Sequence, residues 1–113
     1  MHELSIMVEA LRLAEEAAQA AKAQRILSVK LRVGRLSGVV PEAMEFAWDA
    51  VRRGTIAENA ALEIESVPAV CWCAHCQSEF ESPDFFNECP KCRHGGGELR
   101  RGRELEIVNI EVE

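Results

Sequence analysis

Apolar residues recur at Leu4, Met7, Val8, Leu11, Ala14, Ala18 and Ala21, while Glu9, Arg12, Glu16, Gln19 and Lys22 fill the opposite positions. That spacing predicts an amphipathic helix over 4–23 with one buried stripe. Leu27, Val29, Leu31 and Val33 then alternate with Ser28, Lys30 and Arg32 up to Gly34, the period of a half-buried strand. Pro41 suits a first helical position and Glu42 complements the helix N-terminus. Met44, Ala47, Trp48 and Val51 continue as an apolar stripe as far as Gly54, so a second helix is expected over 41–53. Leu62 and Ile64 alternate with Glu63 and Glu65 until Pro68 closes a second strand. Residues 27–67 thus read as strand, helix, strand, a right-handed βαβ unit. A last strand is expected over 105–112, with Ile107, Ile110 and Val112 apolar. The change of phase at Val108-Asn109 points to a bulge or to burial on both faces.

Between the second and last strands the pattern gives way to cysteine. All five cysteines, Cys71, Cys73, Cys76, Cys89 and Cys92, fall within 22 residues of a 113-residue chain. Cys73-Ala74-His75-Cys76 and Cys89-Pro90-Lys91-Cys92 are two C-x-x-C pairs separated by 12 residues, the arrangement of two knuckles that bring four thiolates around one tetrahedral zinc ion. A disulfide framework normally comes with an export signal and an even count. Redox dithiols of the thioredoxin type sit at a strand-to-helix junction. Reduced core cysteines would not be flanked by Pro, Asn and Gly. Cys71 is left over, a buried or strand-face thiol, and His75 is read as facing solvent. Four thiolates leave no open position for water, so the zinc is structural. The module, about 70–99, has only Trp72, Phe80, Phe85 and Phe86 as large side chains. It should depend on its metal to fold, and Gly95-Gly96-Gly97 gives it a flexible exit.

The expected fold class is α+β: two helices on a three-stranded mixed sheet, formed by 1–69 and 101–113, with a zinc-ribbon-like module inserted at 70–100.

Charge narrows the function. The chain carries 13 basic and 19 acidic residues for a net charge of −6. A duplex-binding protein draws its affinity from neutralising phosphates, so nucleic acid is not an expected partner. The longest uncharged run, Ser66 to Ser78, is 13 residues, short of a membrane span. With no signal visible at the N-terminus, the expected location is the cytoplasm. The alternative reading is a zinc-ribbon adaptor for protein or nucleic acid. It rests on Lys91, Arg93, Arg100, Arg101 and Arg103, which Glu79, Glu81, Asp84, Glu88 and Glu98 offset. Arg100 to Arg103 read as a solvated hinge or a protein-contact edge. With no Walker-type loop and no Ser/His/Asp set at motif spacing, no enzyme is expected.

The N-terminus, Met1-His2-Glu3, offers different chemistry. The Met1 amine, the His2 backbone nitrogen and the His2 imidazole can close two adjacent chelate rings in one plane, which suits Ni(II) or Cu(II) better than zinc. The plainer possibility is two polar residues at a frayed terminus.

Met1-His2-Glu3-Leu4-Ser5, the turn Gly34-Arg35-Leu36-Ser37-Gly38, Pro41-Glu42-Ala43 opening a helix that ends near Arg53-Gly54-Thr55, and the two C-x-x-C pairs occur in this order. Together they resemble the HypA/HybF family of hydrogenase-maturation nickel metallochaperones, over essentially the whole chain. The resemblance implies a nickel-binding domain and a structural zinc domain. It implies work with a nickel-handling maturation GTPase to supply the large-subunit precursor of [NiFe]-hydrogenase, and in some organisms urease maturation. By that match His2 is the essential nickel ligand, Glu3 supports it, and Cys73, Cys76, Cys89 and Cys92 hold zinc. Some family members place a further nickel-site residue in the turn before the second helix, here Val39-Val40-Pro41 with Glu42 the nearest carboxylate. Others have a His just after the last zinc cysteine, here His94.

Overall fold

A computed structural model describes residues 2–82 and 88–113, which leaves Met1 and residues 83–87, Asp84, Phe85 and Phe86 among them, outside the described residues. The elements in chain order are α1 (Glu3–Ala20), β1 (Ile26–Gly34), α2 (Pro41–Val51), β2 (Ala61–Val67), β3 (Val70–Cys73), β4 (Ser78–Glu81), β5 (Glu98–Arg101) and β6 (Leu105–Val112). They form two compact units: Met1–Arg32, Val39–Glu65 and Glu106–Glu113 make the first, Val33–Gly38 and Ser66–Leu105 the second.

In the first unit α1 buries Ile6, Met7, Ala10, Leu11, Ala14 and Ala18. The stripe read from the sequence therefore lies off the true one by part of a turn. Leu4 and Val8 stay about half exposed, whereas Ile6 and Ala10 go inside. The helix also stops earlier than the pattern suggested. Lys22 adopts φ 58°, the Ala23 N–H reaches back to the Ala18 carbonyl at 2.9 Å, and the Lys22 N–H bonds the Gln19 carbonyl at 3.0 Å. This paired closure is a Schellman cap built on lysine instead of glycine. α2 starts on Pro41 and buries Met44, Ala47 and Trp48. The Trp48 indole N–H donates to the Ala60 carbonyl at 3.1 Å, so the largest core side chain enters with its polar atom satisfied.

The strand order is β2-β1-β6. The Ile26 N–H bonds the Ile56 carbonyl just before β2, and the Arg35 N–H bonds Val67 at its end, so β1 and β2 run parallel. Arg25 and Glu113 exchange backbone bonds, and the Gly34 N–H bonds the Glu104 carbonyl, so β6 runs antiparallel to β1. The sheet is mixed, as expected, and α2 is the crossover between its parallel pair. Burial along β1 departs from strict alternation. Val29, Leu31 and Val33 are buried, yet so are Ile26 and Ser28, while Leu27 is exposed. Along β6 only Ile107, Ile110 and Val112 are even half-buried, so this strand is not buried on both faces. Arg32 ties the three strands together on the wet side, with Nε 2.8 Å from Glu65 and Nη1 3.0 Å from Glu106.

The second unit holds a sheet of its own, in the order β4-β3-β5. β3 pairs antiparallel with β4, from Val70 opposite Glu81 to Cys73 opposite Ser78, and with β5, Cys71 opposite Leu99. Arg100 and Arg101, read as a solvated hinge or a protein-contact edge, belong to β5. The Arg100 guanidinium lies 5.3 Å from the Trp72 ring centre, and Arg101 bonds Glu79 at 3.2 Å. The same unit contains a close crossing of backbones. A Cβ on Gly34 would lie 2.6 Å from the Arg103 nitrogen and closer still to the Gly102 carbonyl. Gly102 itself, at φ 126°, has room for no Cβ beside Ala69.

Candidate metal centre

Each cysteine pair is placed by a tight turn. β3 ends at Cys73, and the turn into β4 passes through Gln77 at φ 54°. The Cys76 N–H points back at the Cys73 sulfur at 3.4 Å, and the Gln77 side-chain amide closes the turn on the Ala74 carbonyl at 2.6 Å. In the second pair the Arg93 N–H bonds the Cys89 carbonyl at 2.8 Å and the Cys89 N–H bonds the His94 carbonyl at 2.9 Å, with Arg93 at φ 66°. Backbone N–H groups face the Cys73 sulfur from Cys76 and the Cys89 sulfur from Cys92 and Lys91, the arrangement that stabilises thiolate over thiol.

The two turns bring four sulfurs together. Cys73 and Cys92 are 3.5 Å apart, Cys76 and Cys89 3.9 Å apart, and all four sulfurs lie within 4.8 Å of one another. A zinc ion with four sulfurs at about 2.3 Å has tetrahedron edges of about 3.8 Å, so the cluster matches that geometry. Cys73 and Cys89 are buried, and Cys76 and Cys92 are partly exposed. The thiols are not equivalent. N–H donation from Cys92 and Lys91 draws the Cys89 thiol down to about 7, while the neighbouring Cys92 sulfur and burial push Cys76 up to about 12. Such a set is costly to ionise without a cation at its centre.

Cys71 lies outside the cluster. Fully buried on β3, it hydrogen-bonds Ser82, and burial raises its thiol above the ordinary range. His75 is exposed, and its ring stacks on that of His94 with centroids 4.5 Å apart.

The N-terminal candidates sit at the start of α1. His2 occupies the N-cap in extended conformation, exposed, and its imidazole makes no capping bond. Its carbonyl accepts the Ile6 N–H at 3.2 Å, so the backbone is held, and among the described residues the ring has no hydrogen-bond partner. Glu3 is already engaged: its Oε2 accepts the Val40 N–H at 3.2 Å, and its own backbone N–H first, then this bond, hold its carboxyl below the ordinary range. Sequence reasoning missed that contact. It joins the first residue of α1 to the N-cap of α2 across 37 positions, a separation at which no local pattern signals anything. Glu42 is exposed in the first turn of α2. Met1 lies outside the described residues.

A mixed α+β unit and a unit built around four converging cysteines define a small metal-handling protein, and similarity extends this to a family. The family described as "Hydrogenase/urease nickel incorporation, metallochaperone, hypA" matches residues 1–112. The hydrogenase maturation factor HypA of a Picosynechococcus species is 46% identical over 112 residues, covering 99% of both chains. That of Geobacter sulfurreducens is 42% identical over the full length of both. The solution structure of the Ni metallochaperone HypA from Helicobacter pylori shares the fold with a TM-score of 0.69 at 24% identity, over 99% of this chain and 97% of that one. A second HypA solution structure gives a TM-score of 0.72 at 23% identity, over 100% and 97%. The chain belongs to the HypA family, whose members are metallochaperones for nickel incorporation. Among the described residues no helix is long and apolar enough to cross a membrane.

Proposed function

We propose that this chain binds Ni(II) through His2 and delivers it for assembly of the [NiFe]-hydrogenase active site in the cytoplasm. The observation that carries this reading is the exposed, uncommitted His2 imidazole on a fixed helix N-cap, in a chain matched to the family from end to end. The proposed donors are the imidazole, the His2 backbone nitrogen and the Met1 amine, a planar set suited to Ni(II). Nickel displaces protons from the imidazole and the amide, so binding weakens in acid. The partial positive charge of a helix N-terminus opposes a cation, and the Glu3 carboxylate offsets it. Glu3 therefore supports the site by charge and by its hold on Val40. A site at an exposed helix start, built from one side chain, surrenders its ion more readily than a buried cage.

The 1–69 and 101–113 segments form the nickel-binding domain in this reading, and 70–100 the zinc domain. Zn(II) sits on Cys73, Cys76, Cys89 and Cys92, where it supplies cross-linking and no chemistry, since four thiolates complete its shell. The proposed partners are a nickel-handling maturation GTPase, which supplies any nucleotide hydrolysis, and the hydrogenase large-subunit precursor, with urease maturation proteins as further recipients. An adaptor role would need a free basic face, whereas Arg100 and Arg101 are turned onto Trp72 and Glu79.

Metal analysis of the untagged protein is the test. One tightly held zinc and one added nickel per chain are expected, and His2→Ala should lose the nickel while keeping the zinc and the helix content. A short extension ahead of Met1 should abolish the planar spectrum by turning the amine into an amide. Full nickel binding by His2→Ala overturns the assignment.

A further inference from the structure

The four cysteine sulfurs are placed for a reaction that holding a structural metal does not require. Cys73 and Cys92 come from opposite turns, 19 residues apart in the chain, yet their sulfurs are 3.5 Å apart, closer than the 3.9 Å between Cys76 and Cys89. A disulfide bond is about 2.05 Å long, so roughly 1.5 Å of approach would join this pair. The distance is within reach of small rotations of the two side chains.

The two members of the pair differ in access. Cys92 is partly exposed, whereas Cys73, at the end of β3, is 4% exposed. A small oxidant in solution therefore meets Cys92 directly, with Cys73 behind it. Cys73 also lines a cavity of about 370 Å³ together with Trp72, His75, Phe80 and His94, which gives the inner sulfur room on one side. Bound to zinc, both residues are thiolates, the nucleophilic form of cysteine.

We infer that Cys92 and Cys73 form a peroxide-modification site, in which the two sulfurs are joined as a disulfide and the zinc is released. The Cys92 thiolate attacks hydrogen peroxide and breaks its O–O bond. One oxygen stays on sulfur as a sulfenic acid and the other leaves as hydroxide. The Cys73 thiolate then attacks the Cys92 sulfur, forms the S–S bond and expels the second oxygen as hydroxide. Each sulfur gives up one electron, the peroxide takes both, and the two hydroxide ions pick up protons from solvent as water. Cys76 and Cys89 are the thiols left, and two ligands do not complete the shell of a structural zinc. The new bond takes over from the metal in linking the end of β3 to the second cysteine pair, which a bond inside either C-x-x-C would not do. A dithiol reductant reverses the modification by exchange. The inference rests on the zinc assignment above.

The test uses the full-length, zinc-loaded chain under anaerobic conditions, with hydrogen peroxide added at less than one equivalent. Zinc release is followed with a colorimetric chelator against a peroxide-free control, free thiols are counted, and the cross-link is located by mass spectrometry of a non-reducing digest. About two thiols should disappear for each zinc released, with Cys73 joined to Cys92 as the main product. The helical signal of α1 and α2 should not change, and a dithiol reductant should restore zinc binding. Cys71→Ser should behave as the wild-type chain does. A main cross-link through Cys76, Cys89 or Cys71 overturns the assigned pair. Zinc and thiols that stay intact under excess peroxide overturn the modification site and leave the structural zinc standing. Release accompanied by sulfinic acid, with no recovery on reduction, also overturns it. A chain that holds no zinc before peroxide is added overturns the zinc assignment and this inference with it.

Discussion

The Glu3 carboxylate accepts the Val40 N–H at 3.2 Å and so fastens the start of α1 to the N-cap of α2. Val40 has no side chain that can cap its own helix, and Pro41 follows it without an N–H. The Val40 amide therefore looks outward for a partner and finds the residue next to His2.

Glu3→Ala should release that turn without removing a metal ligand. Amide exchange at Val40 should quicken, and nickel affinity should fall by about tenfold, the cost typical of a residue that orients a site, with the planar spectrum preserved. Glu3→Gln keeps an oxygen acceptor and should retain much of the affinity. A changed nickel spectrum in Glu3→Ala would show instead that the carboxylate is a ligand.

The elements that were legible are those whose signal is local. Two C-x-x-C pairs within 20 residues must meet if both turns close, and the four sulfurs do. α2 was readable because Pro41 and Gly54 mark its ends and Trp48 its inner face. α1 was harder: alanines at 10, 14, 17, 18, 20 and 21 circle the helix, and with so little contrast the choice between Leu4 and Ile6 as core is settled only by what α2 packs against. β3, β4 and β5 have four residues each, two per face, too few to show a period. The crossing of Gly34, Gly102 and Ala69 and the bond from Glu3 to Val40 join residues far apart in the chain, and each follows from the assembled fold.

The Gly34 crossing is testable through stability. A methyl group there meets the backbone at Gly102 and Arg103, which cannot swing aside as a side-chain tip can. Gly34→Ala should cost about 3 kcal/mol or more in denaturant unfolding, at the high end for overpacking. Gly38→Ala is the comparison, because Gly38 has φ 88° but open space around its Cβ. It should lose only about 1 kcal/mol, for the backbone conformation alone. Equal costs for the two would mean the crossing is not tight.

Across the sheet, Arg32 holds the Glu65 carboxyl below its ordinary value of 4.5, first by hydrogen bonding and then by charge. A lowered carboxyl stabilises the folded state above the unfolded-chain value and loses that contribution as pH falls through the folded one. Carbon-detected titration should show Glu65 ionising below 4.5 and rising toward it in Arg32→Ala. The stability of the variant should vary less as the pH falls below 4.5. An unmoved Glu65 titration would show the pair to be idle in solution.

The cysteine cluster makes the strongest claim about metal. Backbone N–H donation favours the thiolate at Cys89, whereas the neighbouring sulfurs and burial hold the Cys76 thiol well above the ordinary range and disfavour a second thiolate. Zinc must expel the Cys76 proton to bind, so uptake should acidify a weakly buffered solution, and affinity should fall steeply as pH decreases. Cys92→Ser removes one corner of the tetrahedron and should lose the zinc, with faster exchange over 66–105 and an unchanged helical signal from α1 and α2. Cys71→Ser, which alters a thiol on β3 outside the cluster, should keep the metal. Zinc retained at native affinity by Cys92→Ser, or lost from Cys71→Ser with the fold intact, would place the ligand set elsewhere among the five cysteines.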